Sequence, residues 1–471
     1  MRESKHTVEK IGGTSMTHFG KIMKNVIIGS RTPDKYYNRI FVVSAYGGIT
    51  DLLLEHKKTG TPGVYAKFAA EDSTWSDSLE LVRTEMLRIN TTFKEIGLNI
   101  EKADNFVNER INGIKACLTD LVRIRSFGHS KHIDYLPATR EFLSAFGEAH
   151  SAYNSVQILK KNGINAKFID LTGWKEPETL EFDTMIKTAF QDIEYDKELP
   201  IVTGYTKCDE GIMTSFDRGY SEITFSKIAV ITNAVEGIIH KEFHLSTGDP
   251  KLIGQDKVKT IGHTNFDIAD QLSDMGMEAI HAKASKLMEI KNIPIRVKNA
   301  FDPEHPGTLI SSDYISDKSK VDMICGRDDI VAIEVFDSDM VGASGYDHAL
   351  LAHFSKYNIS YIAKNTNANT ITHYVSEKVP TLKKCLATLR KAYPSAKIKT
   401  EKVAIVSAIG SNMKIPGFLY RAARSLSDNE INILAFDQCM RQVNMQFIVQ
   451  RKDFKKTQIA LHEELVEKEI K

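Results

Sequence analysis

The stretch VEKIGGTSM, Val8 to Met16, runs an apolar β-type segment straight into two glycines followed by Thr14 and Ser15. Glycines at such a place let the backbone approach a polyanion and present N–H groups at a helix start. Lys10 precedes the glycines, whereas a Walker A loop carries its lysine after them, beside the Ser/Thr. Taken alone, the stretch fits two structures. One is a phosphate cradle of Gly12, Gly13, Thr14 and Ser15 with Lys10 reaching over it; the other is a plain strand-to-helix turn capped by Ser15. VVSAYGGITD (42–51) repeats the device, with Gly47 and Gly48 ahead of Thr50 and Asp51. Two such loops in one sheet aim donors along the edge where open α/β sheets bind ligands. TGDPKL (247–252), with Asp249 and Lys251, is a third Gly/Pro turn and reads equally well as a surface turn.

Around these loops HTVEKI, RIFVVSA, AKFID, LPIVTG and IPIRVKN form short apolar runs suited to a buried parallel sheet. Helical stretches lie between them, as at 141–162, where Phe142, Ala145, Ala149, Ala152 and Val156 share one spacing. This alternation predicts a doubly wound α/β domain over residues 1–310. Residues from about 52 to 135 interrupt it as a helical insertion, with Leu79, Val82, Met86 and Ile89 at i, i+3, i+7 and i+10. The polar stretch 311–321 reads as a linker. Beyond it, VAIEVFDSDMVGASG (331–345) and VAIVSAIGSNMKIPG (403–417) start alike, and ISYI (359–362) and INIL (431–434) follow at equal distances. Between glycine and second strand lies a helix; in the second copy Leu419, Ala422, Ala423 and Leu426 are predicted to share its buried face. Strand, turn, helix, strand, given twice, predicts two ferredoxin-like units over 322–398 and 399–471, one of them open to interleaving with the other.

The 471 residues are 42% hydrophobic and 26% charged with net charge +1, which leaves no electrostatic footprint for nucleic acid or an anionic membrane. Five scattered cysteines without a C-x-x-C pair indicate reduced thiols, not a disulfide frame or zinc site. No signal-peptide core and no span of 18 apolar residues are evident, so a cytoplasmic protein is expected.

Two further stretches carry chemistry. FDRGYSE (216–222) sets Arg218 and Glu222 around Gly219; an arginine fork binds a carboxylate, and the acid can orient a lysine or take an ammonium group. SAFGEAHS (144–151) places Glu148 among small residues, where a buried acid needs a partner such as an ammonium group. The first also reads as an exposed ion pair capping a helix, and the second as an acid partnered from elsewhere in the fold.

With KIGGTS, VVSAYGGITD, GEAHSA, VTGY, DRGYSE, TGDPKL, IPIRVKN and PGTLI in this order, the chain resembles the aspartate kinases along essentially its whole length, and its C-terminal repeat resembles their tandem ACT domains. Within that family it is similar to the type encoded with ectoine-synthesis genes, through SAYGGITDLLLEHKKTGTPGVYAKFA, IIHKEFHLSTGDPKL and NTNANTITHY. The resemblance implies a three-layer α/β/α amino-acid-kinase sandwich followed by two ACT domains. It implies phosphorylation of the L-aspartate side chain by ATP with Mg2+, the metal arriving with the nucleotide. It implies that Lys10 meets the transferring phosphoryl over Gly12, Gly13, Thr14 and Ser15, with Glu222 orienting that lysine. Ser44, Thr50, Glu148, Arg218 and Glu222 would line the aspartate pocket, and Asp249 and Lys251 the lip of the nucleotide site. It further implies an amino-acid effector at the ACT units, with Asn365, Asn367 and Asn369 as candidate contacts, and at least a homodimer.

Three departures stand out. The family's GRGGSD is DRGYSE here, TDVDG becomes HKEFH (240–244), and Glu278 falls where many relatives carry a phosphate-binding lysine. Lys241 or Lys283 is the candidate to replace that lysine. The departures leave two other readings: a degenerate, non-catalytic ACT-domain amino-acid sensor, or an amino-acid-kinase relative with another substrate.

Overall fold

The apolar run around Val8 becomes the central strand of a mostly parallel sheet because both its faces are covered. The computed structural model describes residues 5–127, 135–216, 219–277 and 280–468. It divides into two compact units, Met1–His244 with Ile280–Ser312, and Leu245–Ala279 with Asp313–Lys471.

In the first unit β1 (Thr7–Ile11) lies between β2 (Arg39–Val43) and β5 (Glu236–Lys241), parallel to both. Beyond β2 come β4 (Leu199–Thr203) and then β3 (Ala166–Ile169); beyond β5 come Ile295–Asn299, parallel, and Thr308–Ser311, antiparallel. The chain winds to one side of β1 and then returns to the other, so the switch point falls beside β1, where such sheets place their ligands. The helical insertion consists of Val64–Ala69, Trp75–Thr92 and Ile100–Ser126, with Leu79, Val82 and Met86 fully buried.

β5 does not read as a strand from its residues, EGIIHK, because it carries polar groups into the core. His240 Nε2 lies 2.7 Å from Glu9 Oε2, and Arg39 clamps the same carboxylate at 2.6 and 3.0 Å. Arg39 also donates to the Val26 and Ile27 carbonyls. Burial works to raise the Glu9 pKa, but Arg39 and His240 outweigh it and hold the carboxyl well below its usual range. Opening a buried pair of this kind costs about 3–5 kcal/mol.

The second unit holds a six-stranded antiparallel sheet in the order Tyr361–Thr366, Thr370–Ser376, Met323–Phe336, Lys397–Ile409, Asn444–Gln450, Ile433–Asp437. Its two βαββαβ repeats are interleaved. Ile330–Phe336 pairs with Lys397–Val403 inside the first repeat, while Met323–Arg327 pairs with Ile405–Ile409 and so serves as the last strand of the second. A split at 398/399 therefore separates Met323–Arg327 from the repeat it completes. The sheet curls until its outer strands meet, where Asn365 Nδ2 donates to Phe436 O at 3.0 Å. Helix Phe266–Asp274 fills the curl with Ile268 and Leu272 against Ile405 and Ile448. On the outer face Phe418, Ala422 and Leu426 bury helix Phe418–Asp428, but Leu419 is 43% exposed. Phe418, directly after Gly417, takes the place predicted for Leu419, while Ala422 and Leu426 are buried as predicted and Ala423 is half-buried. Among the described residues no helix is long and apolar enough to cross a membrane.

Candidate active site

Lys10 sits at the C-terminal end of β1, in register with Val42 and Ile239. Its Nζ lies 3.3 Å from Glu222 Oε1. Glu222 enters from the first turn of helix Tyr220–Ile231, and its other oxygen accepts the His281 N–H at 2.5 Å. Burial alone would raise the Glu222 pKa, yet Lys10, Lys241 and the His281 N–H together hold it below normal. The result is an ionised carboxylate anchored at one oxygen and steering a lysine with the other.

The two glycine loops pack against each other next to Lys10. A Cβ on Gly13 would stand 2.6 Å from Ala45 O, so only glycine allows this approach. Gly47 N–H donates to Thr17 Oγ1 at 3.0 Å. A Cβ on Gly12 would meet nothing within 4 Å, so open space lies above that backbone. Gly12 is the N-cap residue of Gly13–Thr17, with no side-chain cap. Ser15 is fully buried and donates to Glu242 Oε1 at 2.8 Å, tying the loop to the end of β5, while Thr14 is exposed.

On the other side stands Glu148, 1% exposed, in the middle of helix Leu136–Lys161. Ser221 Oγ donates to its Oε1 at 2.8 Å, whereas Oε2 is buried without a partner. Burial pushes the Glu148 pKa up to about 8 against the opposing pull of Ser221 and Lys10. Ser44 Oγ lies 3.5 Å from Ser221 Oγ, and Ser151 Oγ donates to the Ser44 carbonyl at 2.8 Å. A Cβ on Gly204 would come within 3.0 Å of Glu148 Oε2 and 2.8 Å of Ser221 Cβ. Thr50 opens helix Ile49–Leu53, half-buried, on the second glycine loop. One acid is thus held charged beside a lysine, and a second is buried with one oxygen unpartnered.

The chain from residue 5 to 299 matches the amino acid kinase family, and residues 406–465 match an ACT domain. The aspartate kinase Ask_Ect of Stutzerimonas stutzeri (strain A1501) is 47% identical over 98% of this chain and 98% of its own length. This chain belongs to the aspartate kinases. Aspartokinase 2, chloroplastic, of Arabidopsis thaliana is 24% identical over 97% of this chain and 83% of its own. Two solved structures share the fold: Clostridium acetobutylicum aspartate kinase, at TM-score 0.74 and 20% identity over 98% of this chain and all of that one, and E. coli aspartokinase III in complex with aspartate and ADP, at 0.70 and 19% over the same shares.

Of the other positions matched to aspartate kinases, Arg218 and Glu278 lie outside the described residues. Asp249 and Lys251 belong to the second unit, where Asp249 Oδ1 accepts the Lys251 N–H at 2.9 Å and caps Pro250–Ile253. Lys283 donates to Ser215 O at 3.3 Å, with Nζ 5.1 Å from the Phe216 ring centre. Asn365 is held by Phe436 O and by the Tyr374 hydroxyl, 2.9 Å from its Oδ1. Asn367 Oδ1 takes the Asn369 and Thr370 N–H groups, shaping the turn between two strands. Ser221, Gly204, His281 and Lys241 join the site although sequence reasoning gave the first three no role. The signal for Ser221 was its place one residue before Glu222.

Proposed function

We infer that this protein transfers the γ-phosphoryl group of MgATP to the side-chain carboxylate of L-aspartate, forming 4-phospho-L-aspartate. The observation that carries this is the pairing, in one site, of the Lys10–Glu222 ion pair with the buried Glu148–Ser221 hydrogen bond. The attacking carboxylate has a pKa of about 4 and is already ionised, so no general base is needed. What the reaction requires is that an anion be brought up to a polyphosphate, which calls for positioning and charge neutralisation.

Lys10 is suited to meet the transferring phosphoryl, held in place by Glu222, with the Gly12–Gly13 backbone open to phosphate oxygens. Lys241, whose charge reaches Glu222, supplies a second cation at the same end. Glu148 gives up its proton to receive the substrate ammonium, with Ser44, Thr50 and Ser221 beside it, and the family resemblance makes Arg218 the residue to take the substrate α-carboxylate. Mg2+ would arrive with ATP, bound through its phosphates.

The reaction opens the aspartate family of amino-acid syntheses, and the likeness to Ask_Ect supports ectoine as the branch supplied, in the cytoplasm. The ACT repeats suit an amino-acid effector and assembly into at least a dimer. An enzyme serving that branch is expected to escape lysine control; full inhibition by added lysine would contradict this. The activity itself is tested by ADP release: it should depend on L-aspartate, and equal rates with L-glutamate would argue for another substrate.

A further inference from the structure

Neighbouring residues of a strand point to opposite faces of the sheet. Lys10 and Lys241 serve the site above; Glu9 and His240, one residue back on β1 and β5, face the other way. Beneath the sheet on that side lies a second cavity of about 350 Å³, bordered by these two residues and by Arg31, Lys298 and Glu304. His240 is 5% exposed, and its Nδ1 is buried without a hydrogen-bond partner. Burial moves the imidazole pKa below its usual value, against the pull of Glu9. Nε2, 2.7 Å from the Glu9 carboxylate, is placed to donate to it, and in the neutral ring Nδ1 is then an acceptor in want of a donor.

Four cations face or back this space, and three carboxylates oppose them. Glu9 is taken up by Arg39, and Glu236 by Arg296 at 2.8 Å. Arg31 and Lys298 form no ion pair within 4 Å among the described residues; they donate to the Val26 and Pro303 carbonyls, and Glu304 is the one acid left over. Burial, and then the charge of Arg31, hold the Lys298 ammonium below its usual pKa. An anion between the two would relieve that repulsion.

We propose that this cavity is a second ligand site, for a small tetrahedral oxyanion that carries its own proton, inorganic hydrogen phosphate. Ionised oxygens meet Arg31 and Lys298, and the P–OH group donates to His240 Nδ1. Sulfate, with no proton at neutral pH, lacks that last bond. Because Glu9 and His240 adjoin Lys10 and Lys241, occupancy stiffens the two strand ends that carry the catalytic cations. The site is separate from the aspartate kinase reading and does not depend on it.

The test is the melting temperature of the full-length protein titrated with inorganic phosphate or sulfate at matched ionic strength. Wild type, Lys10→Ala and the double variant Arg31→Gln/Lys298→Gln are compared. Phosphate should raise the melting temperature saturably in wild type and in Lys10→Ala, at several-fold lower concentration than sulfate, and this response should vanish in the double variant. Equal responses to the two anions would overturn the proposal. So would a phosphate response lost in Lys10→Ala and kept in the double variant. If the double variant folds poorly, Arg31→Gln alone, at an exposed side chain, must weaken the phosphate response several-fold; an unchanged response would sink the idea.

Discussion

Lys10 Nζ stands 3.3 Å from the Glu222 carboxylate, which is itself pinned by the His281 N–H. The lysine reaches the site from a strand end and not from a wrapped loop, so its position depends on that carboxylate. Lys10→Ala should lower kcat by about 100-fold or more, the range for losing one preorganised charge contact. The far-UV spectrum should stay native. A variant with near-normal kcat would remove Lys10 from the reaction.

Glu148 predicts a pH dependence. Its pKa of about 8 in the free protein lies well above the ordinary glutamate value of 4.5. The folded state therefore binds the proton more tightly, and its stabilising contribution is full below pH 4.5 and lost as pH rises through 8. The slope is at most about 1.4 kcal/mol per pH unit. Substrate ammonium needs the ionised form, so aspartate affinity should rise toward pH 8 and binding should release a proton. Calorimetry in buffers of different ionisation enthalpy measures this, and Glu148→Gln should flatten both trends.

Ser221 and Gly204 shape the pocket around that acid. Ser221→Ala strands Glu148 Oε1, and loss of a hydrogen bond to a charged group costs about 1.5–3 kcal/mol. KM for aspartate should rise roughly 10- to 100-fold on that scale, with KM for ATP little changed. Gly204→Ala pushes a methyl group to within 3.0 Å of Oε2 and should also raise KM for aspartate. An effect confined to KM for ATP would misplace the pocket.

Lys241 and Lys283 are both candidates to offset Glu278. Only Lys241 acts on Glu222, while Lys283 is engaged with Ser215 and Phe216. Lys241→Ala should reduce turnover about tenfold or more, whereas Lys283→Ala should leave it within twofold. The reverse order in a steady-state assay would reassign the second phosphate cation.

Much of this was legible in the residues. Apolar runs marked β1 to β4, and the doubled glycine loops marked the edge where Lys10 and Ser44 meet. β5 escaped because EGIIHK carries Glu236 and His240 into a polar layer, and periodicity reports apolar burial only. In helix Phe418–Asp428 the spacing found Ala422 and Leu426 but named Leu419 where Phe418 is buried, because both 418 and 419 stand at helical spacing from 422 and only the helix start decides between them. The asparagines at 365, 367 and 369 stood out as polar loop residues; the first and second proved to be tied to strand and turn partners, contacts that depend on how the sheet curls. Glu148 was legible as a buried acid, but its unsatisfied oxygen required the packing of Gly204 and Ser221 around it.

The most direct test is hydroxylamine trapping of the acyl phosphate, with folded wild-type protein, MgATP and L-aspartate. An aspartate hydroxamate should accumulate in step with ADP and should fall with Lys10→Ala to the same extent as ADP release. ADP without hydroxamate, or no turnover at all with aspartate, would contradict phosphoryl transfer to the aspartate side chain.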